Sequence, residues 1–234
     1  DPEAPPGPGP AMAFASPTEF VELPSCGEFY AEDHPLYKQE TVEIRFMTAK
    51  DEDILTSEAL LKKGLALDRL LENLLVPDVD PGTLLMGDRN ALIIAARISA
   101  YGNEYKVTIR CKECTATEEI DFDLKAASTH DVCFDKEYLR EEGIVFNKQT
   151  QTFDLTLATS GVEVGLRLLD GRAERKMFKK DNDKNRVTSL LSTFLVKVNG
   201  STDFDTVADF IDAMPAKDSR YLRKIFPKLT PAIE

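Results

Sequence analysis

The 234-residue sequence has no tryptophan, only two histidines and four cysteines. Two histidines, His34 and His130, leave little material for a Ser-His-Asp relay or a histidine-rich metal catalyst. Four cysteines do not make a disulfide framework in a chain of this length, which fits a reducing compartment. Positive charge is also scarce: 29 Lys+Arg face 41 Asp+Glu, a formal net charge of −12. That balance argues against nucleic acid and anionic membrane as partners, because phosphate attraction needs a basic surface. No apolar run approaches the roughly 20 residues of a membrane span; the longest is Ala91 to Ala96. A Gly-rich phosphate loop, His-Glu-x-x-His and Gly-x-Ser-x-Gly are all missing. A binding or structural role is therefore expected ahead of an enzymatic one.

What is present begins with a proline-rich head. The chain opens without Met, as if trimmed, and five of its first ten residues are proline. Proline cannot donate ladder or helical hydrogen bonds, so residues 1–17 read as an extended or disordered arm. Two α+β halves follow, 18–130 and 131–234, each a β-hairpin with helices after it, the second richer in helix. In the first, Phe20 to Leu23 and Thr41 to Phe46 alternate as short strands. Thr48 caps a helix with acids in its first turn, Asp51, Glu52 and Asp53, as the macrodipole favours. Lys62-Lys63-Gly64 ends a helical turn, and Leu67, Leu70, Leu71 and Leu74 form the next stripe. Asp88 is read as the cap of an apolar helix ending at Tyr101-Gly102.

In the second half, Phe153 to Leu157 and Val162 to Leu168 make a hairpin around Thr159-Ser160-Gly161. A helix follows Asp170-Gly171, then a charged loop, Asp181 to Arg186. Leu190, Leu191, Phe194, Leu195 and Val198 read as one helical stripe. Thr202 with Asp205 reads as a capping box for a helix whose face carries Phe204, Val207, Ala208, Ile211 and Met214. A last helix after Pro215 buries Leu222, Ile225 and Phe226 and turns Arg220, Arg223 and Lys224 outward.

The sharpest chemical feature is Cys111-x-x-Cys114, between strands carrying Tyr105, Val107, Ile109 and Ile120, Phe122, Leu124. Two thiolates at that spacing on a hairpin tip suit one zinc, which requires two more ligands. His130 and Cys133 supply an His-x-x-Cys pair, so structural zinc is one reading. A redox dithiol and ordinary turn cysteines are the others; no helix N-terminus follows Cys111 to lower its pKa, and ordinary cysteines remain the default. His34 has no identifiable partner for acid–base work.

Several ordered motifs together resemble the baseplate hub protein family of T-even-type contractile-tail phages. They are Leu23-Pro24-Ser25-x-Gly27-x-Phe29-Tyr30, Met47 to Thr56, and Gly87-Asp88-Arg89-Asn90 with Arg97-Ile98 and Tyr101-Gly102. Val198-Asn199-Gly200, Phe210-Ile211 and Pro215-Ala216-x-Asp218-Ser219-Arg220-x-Leu222-Arg223 complete the set. The resemblance covers residues 19–234. It implies a non-enzymatic virion component, made in the host cytoplasm, that helps the hub form so that tube and sheath can polymerise. Its partners would be other baseplate and tail proteins, with self-association a further option. A hub-assembly chaperone absent from the virion and a zinc-ribbon adaptor are the alternatives. The resemblance further implies a Gly after the cysteine knuckle, where this chain has Thr115, and a second cysteine pair beyond the position of Glu234. Asp88, Arg89, Asn90, Asp218, Ser219 and Arg220 are candidates either for internal caps and salt links or for contacts to neighbouring subunits.

Overall fold

The computed structural model describes residues 16–111, 113–126, 129–130, 136–180 and 186–233. The head up to residue 15, Cys133 and the charged loop at 181–185 lie outside the described residues.

Strands β1 (Thr18–Glu22) and β2 (Thr41–Arg45) pair antiparallel, with Val21 opposite Val42. Their alternation sends Val21, Val42 and Ile44 into the core. Thr48 caps α1 (Ala49–Thr56), and its backbone N–H donates to Asp51 Oδ2 at 2.9 Å. Helix α2 (Glu58–Lys63) stops at Gly64, whose φ of +67° is the left-handed value a glycine adopts without strain. Helix α3 (Ala66–Leu74) buries Leu70, Leu71 and Leu74. Leu67 departs from the expected stripe and is exposed, while Asp68 turns inward to meet arginines from other helices.

Helix α4 (Met86–Tyr101) corrects one expectation. Leu85 occupies the N-cap, so Asp88 is a residue of the first turn and not the cap. The Met86 N–H is satisfied instead by the Leu169 carbonyl at 2.9 Å, which leaves the Asp88 carboxylate for other donors. After α4, β3 (Glu104–Arg110) and β4 (Thr117–Asp123) form a seven-pair hairpin, from Glu104 opposite Asp123 to Arg110 opposite Thr117.

Beyond it come β5 (Thr129–His130), α5 (Lys136–Glu141), β6 (Val145–Asn147), β7 (Thr152–Thr156) and β8 (Glu163–Leu166). The expected β7–β8 hairpin is the centre of a four-stranded antiparallel sheet, ordered β6-β7-β8-β9. Asp170 caps α6 (Gly171–Lys180), accepting from the Ala173 N–H at 2.7 Å. The stripe from Leu190 to Val198 is not one helix. Helix α7 (Arg186–Phe194) gives way to β9 (Leu195–Val198), where Val198 pairs with Val164. Sheet pairing, with β-branched Val196 and Val198, wins over helical spacing there.

Helix α8 (Phe204–Ala213) is capped by Asp203, which accepts from the Thr206 N–H, and not by Thr202. Its inward face is Val207 and Ile211; Phe204 is 79% exposed. Helix α9 (Ala216–Leu229) buries Leu222, Ile225, Phe226 and Leu229, and β10 (Ala232–Ile233) pairs with β5.

Two apolar clusters result. One gathers β1, β2, α3 and α4; the other gathers the four-stranded sheet with α7, α8 and α9. Phe29 reaches from the N-terminal loop into the second cluster, with ring centroids 5.0 Å from Phe146 and 5.3 Å from Phe153. Gly87 admits β10 against α4: a Cβ there would lie 1.8 Å from the Pro231 carbonyl oxygen. Among the described residues, no helix is long and apolar enough to cross a membrane.

Candidate functional site

Three buried polar nodes occupy the positions where the ordered motifs meet. In the first, Asp88 is fully buried and accepts from the Ser25 N–H at 2.9 Å, the Ser25 hydroxyl at 2.5 Å and the Tyr30 hydroxyl at 2.7 Å. Burial pushes the Asp88 carboxyl up, and the Ser25 and Tyr30 bonds restrain that rise. Burial beside this carboxylate also raises the Tyr30 phenol well above its ordinary value. The Leu23–Tyr30 loop is thereby tied to the first turn of α4. Gly27, with φ +68°, is obligatory there, since a Cβ would lie 2.4 Å from the Gln39 nitrogen and the Leu36 oxygen.

The second node is Arg89. Its guanidinium donates to Asp68 Oδ1 at 2.8 Å and to Glu174, while Arg175 donates to the other Asp68 oxygen. Arg89 is 5% exposed, so α3, α4 and α6 meet on a charge network that is buried at Arg89 and reaches water through Glu174 and Arg175. The third node is Asp218 at the start of α9, which accepts from the Thr159 and Ser160 N–H groups at 3.1 and 2.9 Å. Burial works to raise that carboxyl, but these bonds outweigh it and hold it below its ordinary value. Ser219 is buried beside it. Asp88, Arg89, Asp218 and Ser219 therefore face inward, whereas Asn90 and Arg220 are exposed.

A fourth pairing was not apparent from the sequence. Arg45 meets Asp51 through two bonds of 2.7 and 2.9 Å, and the Arg45 guanidinium holds the Asp51 carboxyl well below the usual range. Helix-dipole reasoning explained an acid in that turn but not its burial. His34 is likewise structural. Its Nδ1 accepts from the Leu36 N–H, Nε2 lies 2.9 Å from Thr83 Oγ1, and its ring stacks on Tyr30. Burial lowers its pKa.

The outer surface carries the features open to a partner. Helix α9 exposes Lys217, Arg220, Arg223 and Lys224, which make no ion pair among the described residues, and its acid Asp218 is buried. Helix α8, just before it, exposes Asp205, Asp209 and Asp212. Helices α8 and α9 thus expose charge of opposite sign in a chain of net charge −12.

The β3–β4 hairpin is the second such feature. Cys111 and Cys114 are free and exposed at its tip. The backbone N–H groups of Cys114 and Glu113, with the Cys114 side chain, lower the Cys111 thiol below its ordinary value. Two further zinc ligands are expected from the sequence, His130 and Cys133. His130 lies in β5, paired with Ala232, and Cys133 is outside the described residues. Among the described residues no group of three or more His, Cys, Asp or Glu could hold a metal ion.

Comparison with known proteins bears on these features as a whole. Residues 18–233 match the family model described as T4 bacteriophage base plate protein. No curated protein and no solved structure matches the chain.

Proposed function

From its membership of the T4 bacteriophage base plate protein family, a component of the phage tail, we propose that this chain is a non-enzymatic structural part of the baseplate hub. Its role in that reading is to help the hub form as the platform on which tube and sheath polymerise. The observation that carries it is the contrast between motif residues spent on internal wiring and unpaired charge left outside. Asp88, Arg89 and Asp218 are buried in nodes that lock the fold, while Lys217, Arg220, Arg223 and Lys224 face outward together. Such a basic face in an acidic protein suits a neighbouring protein with an acidic surface. The ordered motifs resembling hub proteins support placing that neighbour in the hub.

Mass spectrometry of purified virions tests the proposal. A hub component is retained at fixed stoichiometry to other baseplate proteins. Detection in lysate but not in virions would replace the structural role with that of an assembly chaperone. In a phage carrying Arg220→Glu, Arg223→Glu and Lys224→Glu together, assembled tails should fall while the soluble chain remains folded.

A further inference from the structure

The tip of the β3–β4 hairpin presents its two cysteines to solvent. Cys111 and Cys114 are exposed, free, and part of neither apolar cluster. Cys26 sits differently: it is half-buried and packs against the second cluster. Thiol oxidation follows access, so an oxidant in solution meets the tip pair before Cys26.

Strand pairing ends in a turn that folds the pair together. Arg110 lies opposite Thr117 as the last rung of the hairpin. Beyond it the Cys111 N–H donates to the Ala116 carbonyl at 2.9 Å, and the Thr115 N–H to the Cys111 carbonyl at 3.1 Å. The second bond closes the chain over Cys111 and Cys114, which therefore lie within roughly the 7 Å of a tight turn. A disulfide spans Cα atoms about 4.4–6.8 Å apart, so closing one here asks for little backbone movement. The side chains already meet, for the Cys114 side chain hydrogen-bonds with the Cys111 sulfur. Thr115 takes a φ of +58° to complete the turn, a conformation that a β-branched residue adopts at a cost. A covalent link across the turn holds the chain in that conformation.

We propose that Cys111 and Cys114 are a reversible oxidation site, which closes as an internal disulfide with a small disulfide of the glutathione type as oxidant. One tip thiolate attacks a sulfur of that small disulfide, forms a mixed disulfide and releases one small thiol. The neighbouring thiolate then attacks the tip sulfur, closes the Cys111–Cys114 bond and releases the second small thiol. Two electrons pass from the pair to the small disulfide, and the two thiol protons end on the released thiols. A tail component leaves the reducing cytoplasm for an oxidising exterior, so the pair is open during assembly and closed in released particles. The inference holds whether or not the chain builds the hub.

The test uses the full chain, reduced and freed of metal, in buffers that span glutathione disulfide to glutathione ratios. Samples are trapped with an alkylating agent and mapped by mass spectrometry. The expected main product has lost two hydrogens, carries the Cys111–Cys114 link and reopens in excess glutathione. Cys111→Ser and Cys114→Ser should each stop at a mixed disulfide on the remaining tip thiol, because no neighbour resolves it. Circular dichroism should stay unchanged in both, since the tip is exposed. Purified particles alkylated without reductant should show the same link. A parent chain that stops at the mixed disulfide, a link from either tip cysteine to Cys26 or Cys133, or a metal in the purified chain that keeps both thiols from oxidising would overturn the proposal. So would particles in which both tip thiols are alkylated. A chain missing from particles would instead overturn the hub reading, and the purified chain alone would then decide this one.

Discussion

The Tyr30 hydroxyl donates to Asp88 Oδ2 at 2.7 Å and itself accepts from the Leu85 N–H at 3.1 Å. One phenol oxygen thus joins the loop after β1 to both the cap and the first turn of α4. Its removal leaves a buried N–H and a buried carboxylate each short of a partner. Tyr30→Phe should cost about 2 kcal/mol, within the ~1–3 kcal/mol for leaving a buried polar group unsatisfied. Asp88→Ala should cost more, since the donors on Ser25 lose their acceptor as well. Urea unfolding checks both; a midpoint unmoved in Tyr30→Phe would remove this node from the stability of the fold.

Two buried carboxylates should respond oppositely to acid. Asp51 titrates well below its ordinary range because Arg45 and Thr48 bond its charged form. Its stabilisation is therefore present above the unfolded value, about 3.9, and is lost as pH falls through the folded one. Asp88 titrates above its ordinary range because burial penalises the charge. Its contribution is full below the unfolded value and is lost as pH rises through the folded one. The melting-temperature gap between the parent and Asp51→Asn should be wide at pH 7, begin to close only below about pH 4 and go on closing as pH falls toward the folded value. A gap independent of pH would contradict the Arg45–Asp51 assignment.

Arg89 and Arg172 both reach across to acids, but in different surroundings. Arg89 is almost fully buried among Asp68 and Glu174, while Arg172 and Asp80 are both more than half exposed. Removing one partner of a buried network leaves uncompensated charge, so Arg89→Leu should cost on the order of 3–5 kcal/mol. Arg172→Leu should cost no more than about 1 kcal/mol. Equal chemical-denaturation midpoints for the two variants would show that the shared junction of α3, α4 and α6 is not held by Arg89.

Gly27 and Gly64 have nearly the same positive φ, +68° and +67°, and differ in what surrounds them. At Gly64 an added Cβ meets nothing within 4 Å, whereas at Gly27 it strikes backbone at 2.4 Å. Gly64→Ala should cost about 1 kcal/mol, the conformational term alone. Gly27→Ala should cost several times that, because the colliding atoms are main chain and cannot rotate away. Thermal melts of the two variants separate the effects; similar shifts would mean that the loop relaxes.

Local patterns in the sequence determined a good part of this protein. Period-two alternation located β1, β2, β3, β4, β7 and β8, the Lys-Lys-Gly ending located the stop of α2, and Cys-x-x-Cys marked the hairpin tip. These features depend on neighbours a few residues apart, so their physics is written in adjacent positions. Asp88 looked like a cap because caps are what aspartates before apolar helices usually are. Only the tertiary structure supplied Ser25 and Tyr30 as its donors and Leu169 as the acceptor for the helix start. Leu195 to Val198 carried helical spacing, yet the open edge of β8 turned it into a strand. Whether a charged residue faces water or a buried partner depends on groups tens of positions away. The sequence by itself therefore settled the elements with a clear local period and the tip, while the packing of distant segments made Leu195–Val198 a strand and decided which motif residues lock the fold and which remain outside for a neighbour.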